Sequence, residues 1–191
     1  MERRRPGGKV FEYNSINTFI LARIVEAVEN RPIADVFSDR IWSEIGAEHD
    51  AYIVMAPDGY ALPFGFTSST LRDFARFGMI YTPSTKMLSK TPPLPVEVVK
   101  RMQAGGSPDA YGGNFVGDVM IKRFPDEAGK LKNAYMWDAI MSNGDMFKGG
   151  VGGQGLYVSP SRDVVVAYFT TGDGNGFNEA MAHAIAKSFD R

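Results

Sequence analysis

The residues best placed to do chemistry lie near the start of the sequence, in Phe11-Glu12-Tyr13-Asn14-Ser15-Ile16-Asn17. From Ile16 onward the apolar residues Ile16, Phe19, Ile20, Ile24 and Val28 recur at helical spacing, which predicts a buried helix over Ile16–Ala27. Tyr13, Ser15 and Asn17 then sit on the turn feeding that helix, where side chains project into a cleft. A phenol in such a place exchanges a proton, and a neighbouring hydroxyl or amide aligns the reacting group. The same residue types also make ordinary helix caps, so these seven residues alone leave a capping role open.

The elements that must position this turn follow in order. Arg31-Pro32 marks a boundary, and Ile33, Val36, Phe37 and Ile41 give a second short amphipathic helix. The stretch from Gly46 to Phe66 reads as irregular, with a turn at Pro57-Asp58-Gly59. Thr70, with Asp73 three residues on, predicts a capped helix whose apolar face is Leu71, Phe74, Phe77 and Gly78 to Ile80. Thr91 to Pro95 is proline-rich, and Val96 to Met102 reads as one more short helix. Around Ala104 the character changes, and Gly105, Gly106, Gly112, Gly113 and Gly117 mark loops. Tyr135 to Met141 reads as a strand, Ser142-Asn143-Gly144-Asp145 as a hairpin turn, and Gly155–Val158 and Val164–Phe169 as further strands. Together they predict a three-strand antiparallel meander. A C-terminal helix from about Asn178 to Phe189 closes it, burying Phe177, Met181, Ile185 and Phe189. The expected class is α+β in one domain, 1–191: a helical region over 11–103, then Gly-rich loops, meander and C-terminal helix over 104–191.

Composition narrows the function classes. The 191 residues suffice for one medium domain and are short for two. With 21 basic against 22 acidic side chains, the net charge of -1 offers nucleic acid no electrostatic footprint. The run Arg3-Arg4-Arg5 reads as a solvated, frayed terminus. There is no cysteine, which excludes disulfides, thiolate catalysis and cysteine-bound metal. Met1 to Gly8 carries no signal peptide, and no stretch approaches the ~18 apolar residues that span a bilayer. The chain reads as soluble, with cytoplasm and periplasm both open, and no cofactor is implied.

With these elements in order, the sequence resembles the C-terminal part of the serine β-lactamase-like family, which includes class C β-lactamases, DD-peptidases, family VIII esterases and 6-aminohexanoate-oligomer hydrolases. Tyr13-Asn14-Ser15 resembles the family's Tyr-x-Asn motif, read here as Tyr-x-Ser. The stretch from Ile41 to Ala51 and the helix from Thr70 to Gly78 are also typical. Gly149-Gly150-Val151-Gly152-Gly153-Gln154-Gly155, followed by Leu156-Tyr157-Val158-Ser159-Pro160, resembles the third-motif strand. Its Gly-x-x-Gly-Gln form is that of the esterase and 6-aminohexanoate hydrolase branch. The resemblance implies a β-lactamase/DD-peptidase-like fold, incomplete at its N-terminus.

It also implies acyl transfer on a small ester or amide substrate. Tyr13 would be the proton shuttle, and Ser15 would stand for the family asparagine. The hairpin Gly150-Val151-Gly152, through the N–H near Val151, would be one half of an oxyanion hole, with Asn17 beside the substrate. The family's nucleophile comes from a Ser-x-x-Lys motif many tens of residues upstream of the tyrosine. Here twelve residues precede Tyr13 and no serine in the chain has lysine three positions later. An unassisted serine is a poor nucleophile near neutral pH, so the expectation is an inactive fragment of a serine hydrolase. The rival is a non-catalytic ligand- or partner-binding domain reusing the fold. An open edge on Val164–Phe169 would invite pairing with a second copy or with the missing N-terminal half.

The remaining candidates have structural readings. Lys148 stands one position from where alignment on Gly152-Gly153 puts a third-motif lysine, and is a lesser candidate for substrate contact. His49 and His183 are not at metal-ligand spacing and read as structural. Asp138, Asp145 and Asp163 read as turn and strand-edge residues, and Tyr135 and Trp137 as strand neighbours sharing one face, which either lines the cleft or, as the favoured reading, packs in the core.

Overall fold

A computed structural model describes residues 7–65, 67–172 and 176–190; the Arg3-Arg4-Arg5 run lies outside them. The first helix, α1 (Ser15–Glu29), starts at an Asn14 cap whose side chain accepts the Ile16 N–H, and stops where Asn30 turns left-handed. Next, α2 (Ile33–Phe37) runs on through a π turn (Ser38–Trp42) and a 3-10 turn (Ser43–Ile45). The stretch expected to be irregular, Gly46 to Phe66, contains a short strand, β1 (Tyr52–Ile53), paired with β2 (Thr67–Ser68) just beyond it. Then α3 (Leu71–Met79) begins at the predicted cap, Thr70 accepting the Asp73 N–H. α4 (Val96–Ala104) follows, and then α5 (Phe115–Arg123). The glycines around α5 suggested only loops, yet Asn114 caps it by accepting the Gly117 N–H.

The expected three strands are four: β3 (Ala139–Ile140), β4 (Met146–Gly149), β5 (Gly155–Ser159) and β6 (Val164–Tyr168), antiparallel and in sequence order. β4 is hard to see in sequence because its Lys-Gly end breaks the apolar run, and β3 starts later than the expected Tyr135. Tyr135 and Met136 both have left-handed backbone (φ 50° and 68°), so the chain turns there. Tyr135 and Trp137 therefore do not share a core face. Trp137 is buried edge-on against Tyr81, while Tyr135 is exposed.

Helices cover both faces of the sheet. On one face Trp137, Ile140, Met146, Leu156 and Val158 pack with Val99 of α4 and with Phe74 and Phe77 of α3. The contact is tight: a Cβ on Gly78 would lie 2.6 Å from a methyl of Val165. On the other face Phe124, Leu131, Phe147 and Tyr157 meet α6 (Phe177–Lys187). Here the predicted side of α6 is wrong. Ala182 and Ala186 are buried against the sheet, and Phe177, Met181, Ile185 and Phe189 are exposed. Small residues let the helix approach closely, which turns the larger stripe outward.

The face of α1 expected to be buried is open as well: Ala22 is buried, whereas Ile16, Ile20 and Ile24 are about half exposed and Val28 is 78% exposed. An apolar cleft of about 300 Å³ lies alongside, lined by Leu21, Ala22 and Val25 of α1 with Ile33, Phe37 and Ile53. Among the described residues no helix is long and apolar enough to cross a membrane.

Candidate active site

Pairing register places Lys148 towards the end of β4, on the same sheet face as the buried Met146. Met146 faces Val158, and Lys148 lies opposite Leu156, two steps along the same face. The N-terminal turn reaches this point because Phe11 stacks on the buried Tyr111 (5.5 Å) and donates its N–H to the Ala110 carbonyl (2.6 Å). Two residues later the Tyr13 hydroxyl accepts a hydrogen bond from Lys148 Nζ (3.2 Å). The same ammonium lies 4.7 Å from the Tyr13 ring centroid, within cation–π range.

Asp138 completes the cluster. Its Oδ1 accepts from Lys148 Nζ (2.6 Å) and its Oδ2 from the Gly149 N–H (2.9 Å). The carboxylate is 8% exposed, and a charge so placed needs a partner. Tyr111 donates its hydroxyl to the Asp138 carbonyl (2.5 Å), and burial, followed by the Asp138 charge, pushes that phenol's pKa well up, so it stays a donor.

Of the residues singled out from sequence, Tyr13 is brought to this cluster. Ser15 is half-buried at the start of α1, and its hydroxyl makes no hydrogen bond among the described residues, because Asn14 performs the capping. Asn17 is exposed on the first turn of α1. Gly150, Val151 and Gly152 form the exposed tip of the β4–β5 hairpin, closed by the Gly150 N–H to the Gln154 carbonyl (2.8 Å). Left-handed φ at Gly152 (81°) and Gly153 (80°) makes this tip accessible to glycine and little else. Among the described residues the Val151 N–H has no acceptor, leaving it available as a donor. Behind the tip, a cavity of about 260 Å³ is lined by Gly149, Gly150 and Gln154 together with Arg123 and Glu179, which pair with each other.

A sequence profile of the β-lactamase family matches residues 1–189. The chain belongs to that family. It is also 29% identical over 161 residues to a 6-aminohexanoate-dimer hydrolase from Paenarthrobacter ureafaciens, an alignment covering 82% of this chain and 38% of that relative. The chain thus spans well under half the length of the relative it matches. As a β-lactamase-family member it has the mixed architecture expected, with helices on both faces of an antiparallel sheet.

Two residues of the cluster were underrated or missed. By sequence Lys148 is a lesser candidate and Asp138 a strand-edge residue; the structure puts both at the centre of the cluster. The signal was present in the hairpin. With its turn centred on Asn143, Asp138 and Lys148 are equidistant from it and fall opposite each other one step beyond the Ala139–Phe147 pair. Asp145 and Asp163 keep structural roles. Asp163, at a left-handed turn position, accepts the Ser84 N–H (2.9 Å) and hydroxyl (2.8 Å). His49 donates its N–H to Asp73 (3.2 Å), and His183 stacks on Tyr157, 5.8 Å between ring centroids. Among the described residues no cluster of three or more metal-ligand side chains occurs.

Proposed function

We propose that this chain carries the proton-transfer and oxyanion side of a serine-hydrolase site, acting on a small ester or amide. In this reading the serine nucleophile comes from a Ser-x-x-Lys segment outside the 191 residues, and the chain alone is inactive. The observation that carries the reading is the 3.2 Å contact between Lys148 Nζ and the Tyr13 hydroxyl, made across 135 positions of sequence. Because Lys148 donates to a lone pair of Tyr13, the phenol's own proton is free to be passed to a leaving group. The ammonium offsets negative charge developing on the phenol oxygen during the transfer. The unpaired Val151 N–H supplies one oxyanion donor, a contribution of ~2.7–4 kcal/mol once an acyl group is set against it. Likeness to a 6-aminohexanoate-dimer hydrolase favours linear amide or ester substrates over β-lactams. Tyr-x-Ser in place of Tyr-x-Asn points the same way.

Incubation with a fluorophosphonate, followed by intact-protein mass measurement, tests the reading. The 191-residue chain alone should acquire no adduct. When it is co-produced with a β-lactamase-family N-terminal segment that carries Ser-x-x-Lys, a single adduct on that segment and nitrophenyl-ester turnover should appear. Saturable ligand binding without turnover in the reassembled protein would refute it in favour of a binding domain, the reading favoured by the lack of any Ser-x-x-Lys in this sequence.

A further inference from the structure

We infer that Asp138 is the positioning residue that sets Lys148 against Tyr13 and ties both to the start of the glycine hairpin; the inference rests on the hydrolase reading for its purpose but not for its test. A lysine carries its charge on a flexible four-carbon stem and does not by itself define a point in space. Asp138 does. Its N–H donates to the Phe147 carbonyl (3.0 Å) and its carbonyl accepts from the Tyr111 hydroxyl (2.5 Å), so both main-chain groups are held. From this anchored position each carboxylate oxygen accepts one hydrogen bond among the described residues: from Nζ of Lys148 on Oδ1, and from the Gly149 N–H on Oδ2. The Asp138 side chain is 8% exposed against 33% for Lys148, so the aspartate is the fixed member and the lysine the held one.

The donors divide accordingly. Of the three N–H bonds on an ammonium, one goes to Asp138 and one to Tyr13, leaving the third free for a substrate oxygen. Gly149 immediately precedes Gly150 and Val151, so the carboxylate that seats the ammonium also fixes where the hairpin tip begins. Tyr111 closes the loop: its ring stacks on Phe11, two residues ahead of Tyr13, while its hydroxyl holds Asp138. Two segments 125 positions apart, at Tyr13 and Asp138, are thus set to one scale by a buried phenol.

The test is NMR on the 191-residue chain, with Asp138→Asn, Lys148→Met and the double variant. The unmodified chain should give NOEs between the Lys148 ε-methylene and the Tyr13 ring. In Asp138→Asn these should be lost, the Tyr13 ring resonances should move, and the Gly149 amide proton should shift upfield. In the Lys148→Met background, Asp138→Asn should no longer move the Tyr13 ring. A general structural role would perturb Tyr13 with or without the lysine, so persistence of the shift in that background overturns the inference. Survival of the NOEs in Asp138→Asn does the same. Should Asp138→Asn fail to fold, Asp138→Glu decides. It keeps the charge but moves it by one methylene, and unchanged NOEs would overturn the inference where weakened ones support it. Nothing here requires turnover, so failed fluorophosphonate labelling would sink the hydrolase reading and leave this result standing.

Discussion

Replacing Asp145 tests whether the far end of the sheet is held by one buried charge. Its side chain is fully buried and accepts three hydrogen bonds: from the Tyr157 hydroxyl (2.7 Å), the Ser159 hydroxyl (2.7 Å) and Nη1 of Arg162 (2.9 Å). Arg162 is 14% exposed and its Nε is taken by Asp190 (2.6 Å). Removing the carboxylate takes from the Arg162 guanidinium its buried partner, leaving only the exposed Asp190 and the Ser159 hydroxyl, and takes from the Tyr157 hydroxyl its acceptor. For a buried pair broken from one side the loss is about 3–5 kcal/mol. Taking about 4 kcal/mol and a urea slope of about 2 kcal/mol/M, the unfolding midpoint of Asp145→Ala should fall by about 2 M with the slope unchanged. Tyr157→Phe removes one donor and leaves the carboxylate two others, so it should cost about 1 kcal/mol. Asp145→Asn should fall between. Adding Arg162→Met to Asp145→Ala should recover stability, because the stranded cation goes too, with a coupling of about 0.5–3 kcal/mol. If Asp145→Ala costs no more than Tyr157→Phe, or if the two positions are additive, the charge-centred account is wrong.

The other expectations are read from the same kind of contact. Thr70→Ala removes the α3 cap and should cost about 1 kcal/mol in a denaturant titration. Burial works to raise the carboxyl pKa of Asp73, but the Glu48 N–H, the Thr70 hydroxyl, the Arg76 guanidinium and the His49 N–H outweigh it and hold it at about 2, against 3.8 when unconstrained. That stabilisation should be complete above pH 3.8 and be lost as pH falls towards about 2, and Asp73→Asn should flatten stability-versus-pH curves in this window. Burial, and then Lys187, lower the pKa of His183 below its usual 6.5, so the unfolded chain takes up its proton first. Stability should therefore decline as pH drops through 6.5, and His183→Phe should remove that slope in thermal melts. Ile185→Lys with Phe189→Lys should leave the unfolding free energy from urea titration within about 0.5 kcal/mol of the parent, since both side chains are exposed. If the α6 stripe is a contact between copies, the same pair should lower the mean mass in sedimentation; an unchanged, already monomeric mass would dismiss that contact.

How much of this was legible in the sequence depended on how local each determinant is. The α3 cap could be read because Thr70 and Asp73 are three residues apart and act on each other. The strands β5 and β6 could be read because their runs are apolar and bounded by turns. The α1 and α6 faces were assigned by periodicity, which identifies a stripe but not which stripe finds a neighbour. In α6 the alanines won, because close approach to the sheet excludes Phe177 and Ile185. In the site, Tyr13 was legible as a residue type at a helix entrance. Its partner was not, since Lys148 becomes a partner only through the register of β4 and the Phe11–Tyr111 stack. Asp138 was within reach of the sequence, given the hairpin centre, but the Lys-Gly end of β4 masks the strand that carries its partner.

The same contrast separates what is finished in this molecule from what is not. Around Tyr13, Lys148 and Asp138 the polar groups have partners, and the aromatic pair Phe11–Tyr111 fixes the spacing between segments remote in sequence. Along the helix that follows Tyr13, α1 exposes Ile16, Ile20, Ile24 and Val28 beside an apolar cleft of about 300 Å³. Scattered exposed apolar residues are ordinary, but a continuous stripe along the helix that bears the candidate Ser15 and Asn17 is not. A proton-transfer cluster is useful only if a nucleophile stands next to it, and in the proposed reading that serine must arrive on polypeptide from outside these residues. The exposed stripe of α1 is apolar, elongated and adjacent to Tyr13, the properties that a docking helix carrying such a serine would need. Covering it would bury Ile20 and Ile24, each contributing about 1.5–3 kcal/mol if taken from full exposure and less from half. Stability and reactivity would then rise together on association, so a Ser-x-x-Lys segment that restores turnover without raising the melting temperature would contradict this link.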